Sequence, residues 1–353
     1  MTQFEINSDI SVARCLSPSF YLDDVYFESS RDHIFSRTWQ FAGLKSDADN
    51  IRPVTLLEGF LDEPLIVTYD GELRCFSNVC THRGNLLVSE SCRGASIRCG
   101  YHGRKFDLSG KFLSMPEFEG VRDFPGPEDD LAGLEIREVA GLMFVAFDPA
   151  GSFEEFFGPT LGRLADFENS NTAVSTSVYE VNAHWALYCE NYLEGFHIPY
   201  VHKSLNRELD FASYDIRTFR FSSLQTAVPA ELEKDSGRRQ EFDGKAAFYY
   251  FVFPNLMFNF YPWGLSVNVV EPLSPTRTRV RYVTLETDPS KRKTGAGSDL
   301  ERVEAEDQRI VESVQKGIGS RLYKPGRYSV KQEIGTHHFH RLIAEFMNQG
   351  GAR

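Results

Sequence analysis

The feature that most restricts what this chain can fold into is a pair of short metal-ligand motifs, Cys80-Thr81-His82 and, sixteen residues further on, Cys99-Gly100-Tyr101-His102. Two thiolates and two imidazoles either bind one zinc tetrahedrally or hold a [2Fe-2S] cluster, with the cysteines on one iron and the histidines on the other. Zinc ribbons prefer Cys-x2-Cys pairs, which are not found here. Each motif runs into glycine, as Cys80-Thr81-His82-Arg83-Gly84 and Cys99-Gly100-Tyr101-His102-Gly103. Tight loops around a cluster need positive φ and backbone N–H groups turned toward sulfur, and Gly84, Gly100 and Gly103 permit both. Cys92 has no histidine at matching spacing and reads as an ordinary thiol.

The surrounding segment has the texture of strands. Pro64 to Tyr69 and Leu73 to Asn78 are rich in β-branched and aromatic residues and are joined by Asp70-Gly71, a hairpin signal. A further strand is expected over Gly141 to Phe147, ending at Asp148-Pro149. These runs predict an all-β module over residues 38–148, preceded by one or two short helices in residues 1–37. Residues 149–353 read as a mixed second domain. A helix is expected from Ala183 to Phe196, strands over Phe248 to Phe260, Ser266 to Val270 and Arg277 to Thr284, a Gly-rich loop over Lys291 to Ser298, and a helix from Leu300 to Gly317. The fold class is therefore α+β.

Composition narrows the function classes. A net charge of -12 leaves no basic surplus to neutralise phosphates, so a nucleic-acid partner is not expected. No apolar run approaches the roughly twenty residues of a membrane span, and Met1 to Asp9 is polar and acidic. A cytoplasmic protein without a membrane partner is expected. The six cysteines are too sparse in 353 residues for a disulfide scaffold, which suits a reducing compartment with thiolates available to metal.

A second constellation lies in Glu190-Asn191-Tyr192-Leu193-Glu194-Gly195-Phe196-His197-Ile198-Pro199-Tyr200-Val201-His202. At about 100° per residue, histidines five apart diverge on a regular helix. Pro199 disfavours continued helix at Ile198 and can redirect the chain so that both rings converge. The third ligand is expected at Asp307, in the middle of an apolar stripe formed by Val303, Ile310, Val311, Val314 and Ile318; Glu306 falls near the edge of that stripe and Glu304 off the opposite side. A carboxylate in an apolar face must be neutralised, hydrogen-bonded or bound to metal. Two histidines and one carboxylate form a facial triad suited to Fe(II), with positions open to O2 and substrate.

Both constellations in this order resemble the α subunits of Rieske non-heme iron oxygenases, over nearly the whole chain. Ala305-Glu306-Asp307-Gln308-Arg309-Ile310-Val311 also resembles that family's ligand helix. The resemblance implies a Rieske [2Fe-2S] domain and an antiparallel-sheet-and-helix catalytic domain, on which the N-terminal helical segment packs. It implies a cluster on Cys80, His82, Cys99 and His102 and mononuclear Fe(II) on His197, His202 and Asp307. Cys₂His₂ ligation places such a cluster at about -150 to +300 mV.

The same resemblance implies a homotrimer in which Glu194 bridges His102 of one subunit and His197 of the next, with Asn191 near the iron. A flavin-dependent reductase drawing on NAD(P)H, and a ferredoxin where one intervenes, would supply electrons. Glutamate at the bridge looks more like the branch of choline, carnitine and glycine-betaine-type monooxygenases than the ring dihydroxylases. The expected function is a terminal oxygenase that hydroxylates or oxidatively demethylates a small substrate, a quaternary ammonium compound in that branch; an aromatic-ring hydroxylating dioxygenase and a Rieske electron carrier are the alternatives. Among the many aromatic residues after residue 247, most are expected in the core, and Trp263, in the turn Pro262-Trp263-Gly264, is the expected pocket contact. His33, His184, His337, His338 and His340 are read as structural or surface residues.

Overall fold

The computed structural model describes residues 4–46, 48–167, 173–229, 247–292 and 300–349. Two compact units divide the chain, Ser36–Ala150 on one side and Met1–Phe35 together with Gly151–Arg353 on the other. The chain opens with two short helices, α1 (Pro18–Leu22) and α2 (Asp24–His33). Pro18 sits in the first turn of α1, where its missing N–H costs nothing, and α2 carries Asp24 at its positive end and Arg31 and His33 at its negative end.

The unit Ser36–Ala150 holds β1 (Gln40–Leu44), β2 (Ile51–Leu56), β3 (Glu63–Tyr69), β4 (Leu73–Ser77), β5 (Ile97–Arg98), β6 (Lys105–Phe106), β7 (Phe112–Ser114), β8 (Gly133–Val139) and β9 (Leu142–Ala146). Antiparallel pairing gives a six-stranded sheet in the order β1-β9-β8-β4-β3-β2 and a small sheet β5-β6-β7. The Asp70-Gly71 signal marks the β3–β4 hairpin, where Tyr69 faces Leu73 and Gly71 takes a φ of 102° that residues with a Cβ rarely adopt. Ile51, Ile66, Phe76, Ile97 and Phe106 form the core of this unit, and Cys80 and Cys99 belong to the same cluster. Burying each large apolar side chain there contributes about 1.5–3 kcal/mol, so the two thiols are held in a packed wall.

In the other unit, α3 (Phe153–Leu164) leads to β10 (Ala173–Val181), α4 (Trp185–Tyr192), α5 (Ile198–Val201) and α6 (Leu205–Glu208). Then come β11 (Leu209–Thr218), β12 (Ser222–Pro229), β13 (Ala247–Val252), β14 (Leu256–Tyr261), β15 (Gly264–Ser274), β16 (Arg277–Glu286), α7 (Leu300–Ile318) and α8 (Ile334–Gln349). The strands form one antiparallel sheet ordered β10-β16-β15-β14-β13-β12-β11. Every residue of β14 is buried, which fits a central strand covered on both faces. Helix α3 packs on β12 and β13, and α4 packs on β15 and α7. Of the expected loop Lys291–Ser298, residues 293–298 lie outside the described residues; Lys291 itself closes a short 3-10 turn, Pro289–Lys291.

Three expectations need correction here. The helix expected over Ala183–Phe196 is the shorter Trp185–Tyr192, so Glu194 and His197 stand beyond its end and do not share a helical face with Glu190. Pro199 does not break a continuing helix but lies in the first turn of a new one, Ile198–Val201, where proline is well tolerated. On α7, Ile310 and Val314 are exposed at 38% and 42%, while Val311, Gln315 and Ile318 are buried. The packed row therefore runs from Glu304 through Asp307, Val311, Gln315 and Ile318, in steps of three and four, and Ile310 and Val314 on its flank face outward.

Candidate active site

The two Cys/His motifs are built as matching loops. In the first, Gly84 N–H returns to the Cys80 carbonyl at 2.9 Å, and in the second Gly103 N–H returns to the Cys99 carbonyl at 3.1 Å. Both glycines have positive φ, 72° and 77°; at Gly103 a Cβ would also come 3.3 Å from the Arg98 guanidinium. The cysteines point inward, with Cys80 3% and Cys99 2% exposed, whereas His82 and His102 are partly exposed and their rings lie 4.8 Å apart. Burial opposes ionisation of Cys99, yet backbone N–H groups of Tyr101 and His102 and the side chains of Cys80 and Asn85 hold its thiol below the ordinary value. Facing thiols, paired imidazoles and N–H groups aimed at sulfur fit a [2Fe-2S] cluster with two sulfur and two nitrogen ligands. Cys92 is exposed and outside this arrangement.

Beneath the loops sits Arg104, 2% exposed, which pairs with Asp129 and lies 4.9 Å from the Phe112 ring centre. Sequence reading passed over it, since an arginine two residues after His102 looks like any surface cation.

The second site begins at His184. Its ring caps α4 by accepting the Ala186 N–H at Nδ1, 3.2 Å away, and its own backbone N–H donates to Gln315 on α7 at 2.8 Å. Burial pushes the His184 pKa down to about 3, so the ring is neutral and able to accept. With α4 docked on α7 in this way, Asn191 in its last turn donates to the Asp307 Oδ1 at 2.7 Å. Gly195 then lets the chain turn against the Tyr214 ring, where a Cβ would fall 2.6 Å from the ring carbon Cζ.

His197 and His202 converge. Their Nε2 atoms are 3.2 Å apart, and the Asp307 Oδ1 lies 2.9 Å from His202 Nε2 and 3.5 Å from His197 Nε2. Each ring is held from behind by a carboxylate: Glu194 Oε1 is 2.7 Å from His197 Nδ1, and Glu306 Oε2 is 2.9 Å from His202 Nδ1. With Nδ1–H donated to these carboxylates, both Nε2 lone pairs point at one another and at a carboxylate oxygen. Three acceptors facing each other repel unless a cation lies between them, so this donor set fits a divalent metal held by two imidazoles and one carboxylate. Burial disfavours charge on His202, but Asp307 and Glu306 outweigh it and hold its pKa above the ordinary value, another sign that this spot favours positive charge.

The triad opens on a cavity lined by Tyr188, Tyr192, Tyr249, Tyr261, Asn259 and Glu304, among others. Trp263, the expected pocket contact, does not line it. It is 1% exposed and stacks behind Tyr261 with ring centres 5.1 Å apart, because the Pro262-Trp263 turn tucks the indole under the sheet. The helical wheel places Glu304 off the apolar stripe, yet it stands one turn before Asp307 on the packed row of α7 and lines the cavity. The pattern Glu304, Asp307, Val311, Gln315, Ile318 was the available signal. His337 and His340 are buried in α8, His340 between the Tyr328 hydroxyl at 2.6 Å and Glu190 at 3.1 Å, a packing role remote in kind from metal binding.

Fold and site together define a Rieske-type non-heme iron oxygenase, an oxidoreductase. The model of the ring-hydroxylating α subunit catalytic domain matches residues 167–349 and that of the Rieske [2Fe-2S] domain matches residues 38–125, and the chain belongs to this family. It is 29% identical to the chloroplastic choline monooxygenase of Arabidopsis thaliana, over 97% of this chain and 85% of that protein. It is 28% identical to the carnitine monooxygenase oxygenase subunit of Escherichia coli (strain K12), over 92% of each. A solved quaternary ammonium Rieske monooxygenase in complex with gamma-butyrobetaine superposes with a TM-score of 0.74 at 25% identity, covering 96% of this chain and 97% of that one. Among the described residues no helix is long and apolar enough to cross a membrane.

Proposed function

We propose that this chain is the terminal oxygenase of a multicomponent monooxygenase that hydroxylates or oxidatively demethylates a small quaternary ammonium compound. In this reading Cys80, His82, Cys99 and His102 hold the [2Fe-2S] cluster within a domain of residues 38–148, and His197, His202 and Asp307 hold Fe(II) within residues 149–353, against which residues 1–37 pack. When bound, the iron supplies O2 chemistry and the cluster supplies single electrons.

The chain's own groups orient and exclude. Glu194 and Glu306 fix the two histidines in the tautomer that leaves Nε2 free, and Asn191 holds the Asp307 oxygen in line. Tyrosine rings lining the cavity suit a trimethylammonium group, which aromatic faces attract and which needs no hydrogen-bond partner. The observation that carries the reading is the convergence of His197, His202 and Asp307 on the floor of a tyrosine-lined cavity. The kinship with choline and carnitine monooxygenases supports the substrate class.

By the same family resemblance, the working form is a cytoplasmic homotrimer in which Glu194 joins His197 to His102 of a neighbouring subunit, served by a flavin-dependent reductase that draws on NAD(P)H, with or without a ferredoxin. The test is turnover with a surrogate reductase, NADH and O2 on choline, carnitine, glycine betaine and methoxyaromatics. The reading expects oxygen insertion into a trimethylammonium compound, with formaldehyde where the N-methyl product breaks down. Turnover confined to methoxyaromatics or unsubstituted rings would contradict it.

A further inference from the structure

One charged group in the cavity has no part in holding metal. Glu304 lines the cavity from α7 and is partly accessible. The Tyr188 hydroxyl, from α4, donates to its Oε2 at 2.6 Å, and the Tyr282 hydroxyl, from β16, donates to the same oxygen. Among the described residues no hydrogen bond reaches Oε1. Burial, followed by the charge of Asp307, pushes the Glu304 carboxyl up to about 7, against the two phenol hydrogen bonds that favour its ionised form.

A carboxylate in such surroundings is costly unless its charge is used. Tying α4 and β16 to α7 would use only Oε2, and a glutamine there could accept the same two hydrogen bonds. Glu304 lines the same cavity as Tyr192, Tyr249 and Tyr261. Aromatic faces and one carboxylate are the two elements that recognise a cation too large and too alkylated to donate hydrogen bonds. On a helix, residues three apart have Cβ atoms about 5–6 Å from each other, so this charge sits one turn from the triad's Asp307. A cation drawn to Glu304 has its methyl groups next to the face formed by His197, His202 and Asp307.

We propose that Glu304 is the specificity-determining counter-charge that selects a cationic head group in this cavity, with Tyr188 and Tyr282 orienting it. The proposal rests on the quaternary ammonium reading above and adds the residue that carries it. The test is calorimetric binding to the purified holoenzyme. The probes are choline, carnitine amide and glycine betaine amide, in which the quaternary nitrogen is the one charge, each beside the uncharged analogue in which carbon replaces that nitrogen. The wild type is expected to prefer at least one cation over its analogue by roughly tenfold or more, and Glu304→Gln to cut that preference by about 10- to 100-fold while binding the neutral analogue as before. A merely structural role would weaken both ligands equally.

Should Glu304→Gln fail to fold, Glu304→Asp, which withdraws the charge by one methylene, is expected to weaken the cation severalfold and spare the analogue; equal weakening of both would overturn the proposal. If the wild type discriminates and Glu304→Gln discriminates just as well, the proposal falls and the substrate reading stands. If the wild type binds all three cations no better than their analogues, both fall.

Discussion

Asn191 and Asp307 lie 116 residues apart, on α4 and α7, and the Asn191 amide donates to the very Asp307 oxygen that faces both histidine Nε2 atoms. That oxygen could rotate away from the histidines about a terminal torsion that is intrinsically broad. The amide restricts it. Placement of the metal face therefore depends on how α4 docks against α7 as much as on the three ligands.

Replacing Asn191 by Ala is expected to leave the triad intact in sequence but looser in space. Loss of a partner behind a ligand typically costs about 10- to 100-fold in metal affinity or activity. Titration of the metal-depleted protein with Fe(II) under argon checks this, and an unchanged affinity together with unchanged turnover would count against the bracing role.

Glu306 gives a second case, on the opposite ligand. It accepts from His202 Nδ1 and is itself held by Arg302 at 3.1 Å, and these contacts keep its carboxyl below the usual range. Glu306→Gln can donate as well as accept, so the His202 tautomer is no longer specified. Iron retention after dialysis against a chelator is expected to fall by about tenfold or more, with the cluster's visible spectrum unaffected.

Much of this architecture was legible before any coordinates. The Cys/His spacing, the Asp70-Gly71 hairpin and the β-branched and aromatic runs Pro64 to Tyr69 and Leu73 to Asn78 each act locally, within a few residues, and local signals survive in sequence. The phase of α7 did not. Counting apolar residues put Asp307 inside, but with it Ile310 and Val314, which are exposed, whereas the helix turns Glu304 inward beside Asp307 because the Tyr188 and Tyr282 hydroxyls, and the histidines, compensate the two carboxylates. Those partners come from distant segments, so no window along the chain reveals them. Trp263 shows the converse: a turn placed it near the site, but only packing behind Tyr261 decides that it supports the wall instead of lining it.

Gly195 admits a sharp test of the turn between α4 and α5. An added Cβ meets the Tyr214 ring at 2.6 Å, closer than such atoms approach. Gly195→Ala is expected to destabilise the protein by about 1–3 kcal/mol and to disturb the placement of Glu194 and His197. Adding Tyr214→Leu opens the space and is expected to recover most of the lost stability in thermal unfolding; no recovery would mean that the glycine is needed for another reason.

His184 sets an acid limit. Its folded pKa is lowered from an ordinary 6.5 to about 3 by burial, so below about 6.5 the unfolded chain binds a proton that the folded chain refuses. The sign follows directly: its contribution is fully present above about 6.5 and shrinks by about 1.4 kcal/mol for each pH unit below that, until about 3. His184→Asn keeps a capping oxygen without the titration. Denaturant unfolding of both proteins across the acid range is expected to show a shallower loss in the variant, and parallel curves would remove His184 as the cause.

One polypeptide carrying two iron sites with separate ligand sets has a simple stoichiometric signature. Iron and acid-labile sulfide, measured on the same anaerobic preparations of wild type and Asp307→Ala, read it. The wild type is expected to hold the iron and sulfide of one [2Fe-2S] cluster plus one further iron, and Asp307→Ala to keep the cluster's sulfide and spectrum while losing that further iron. Sulfide lost along with the iron in Asp307→Ala, or full iron retained by it, would mean that the two ligand sets are not separate.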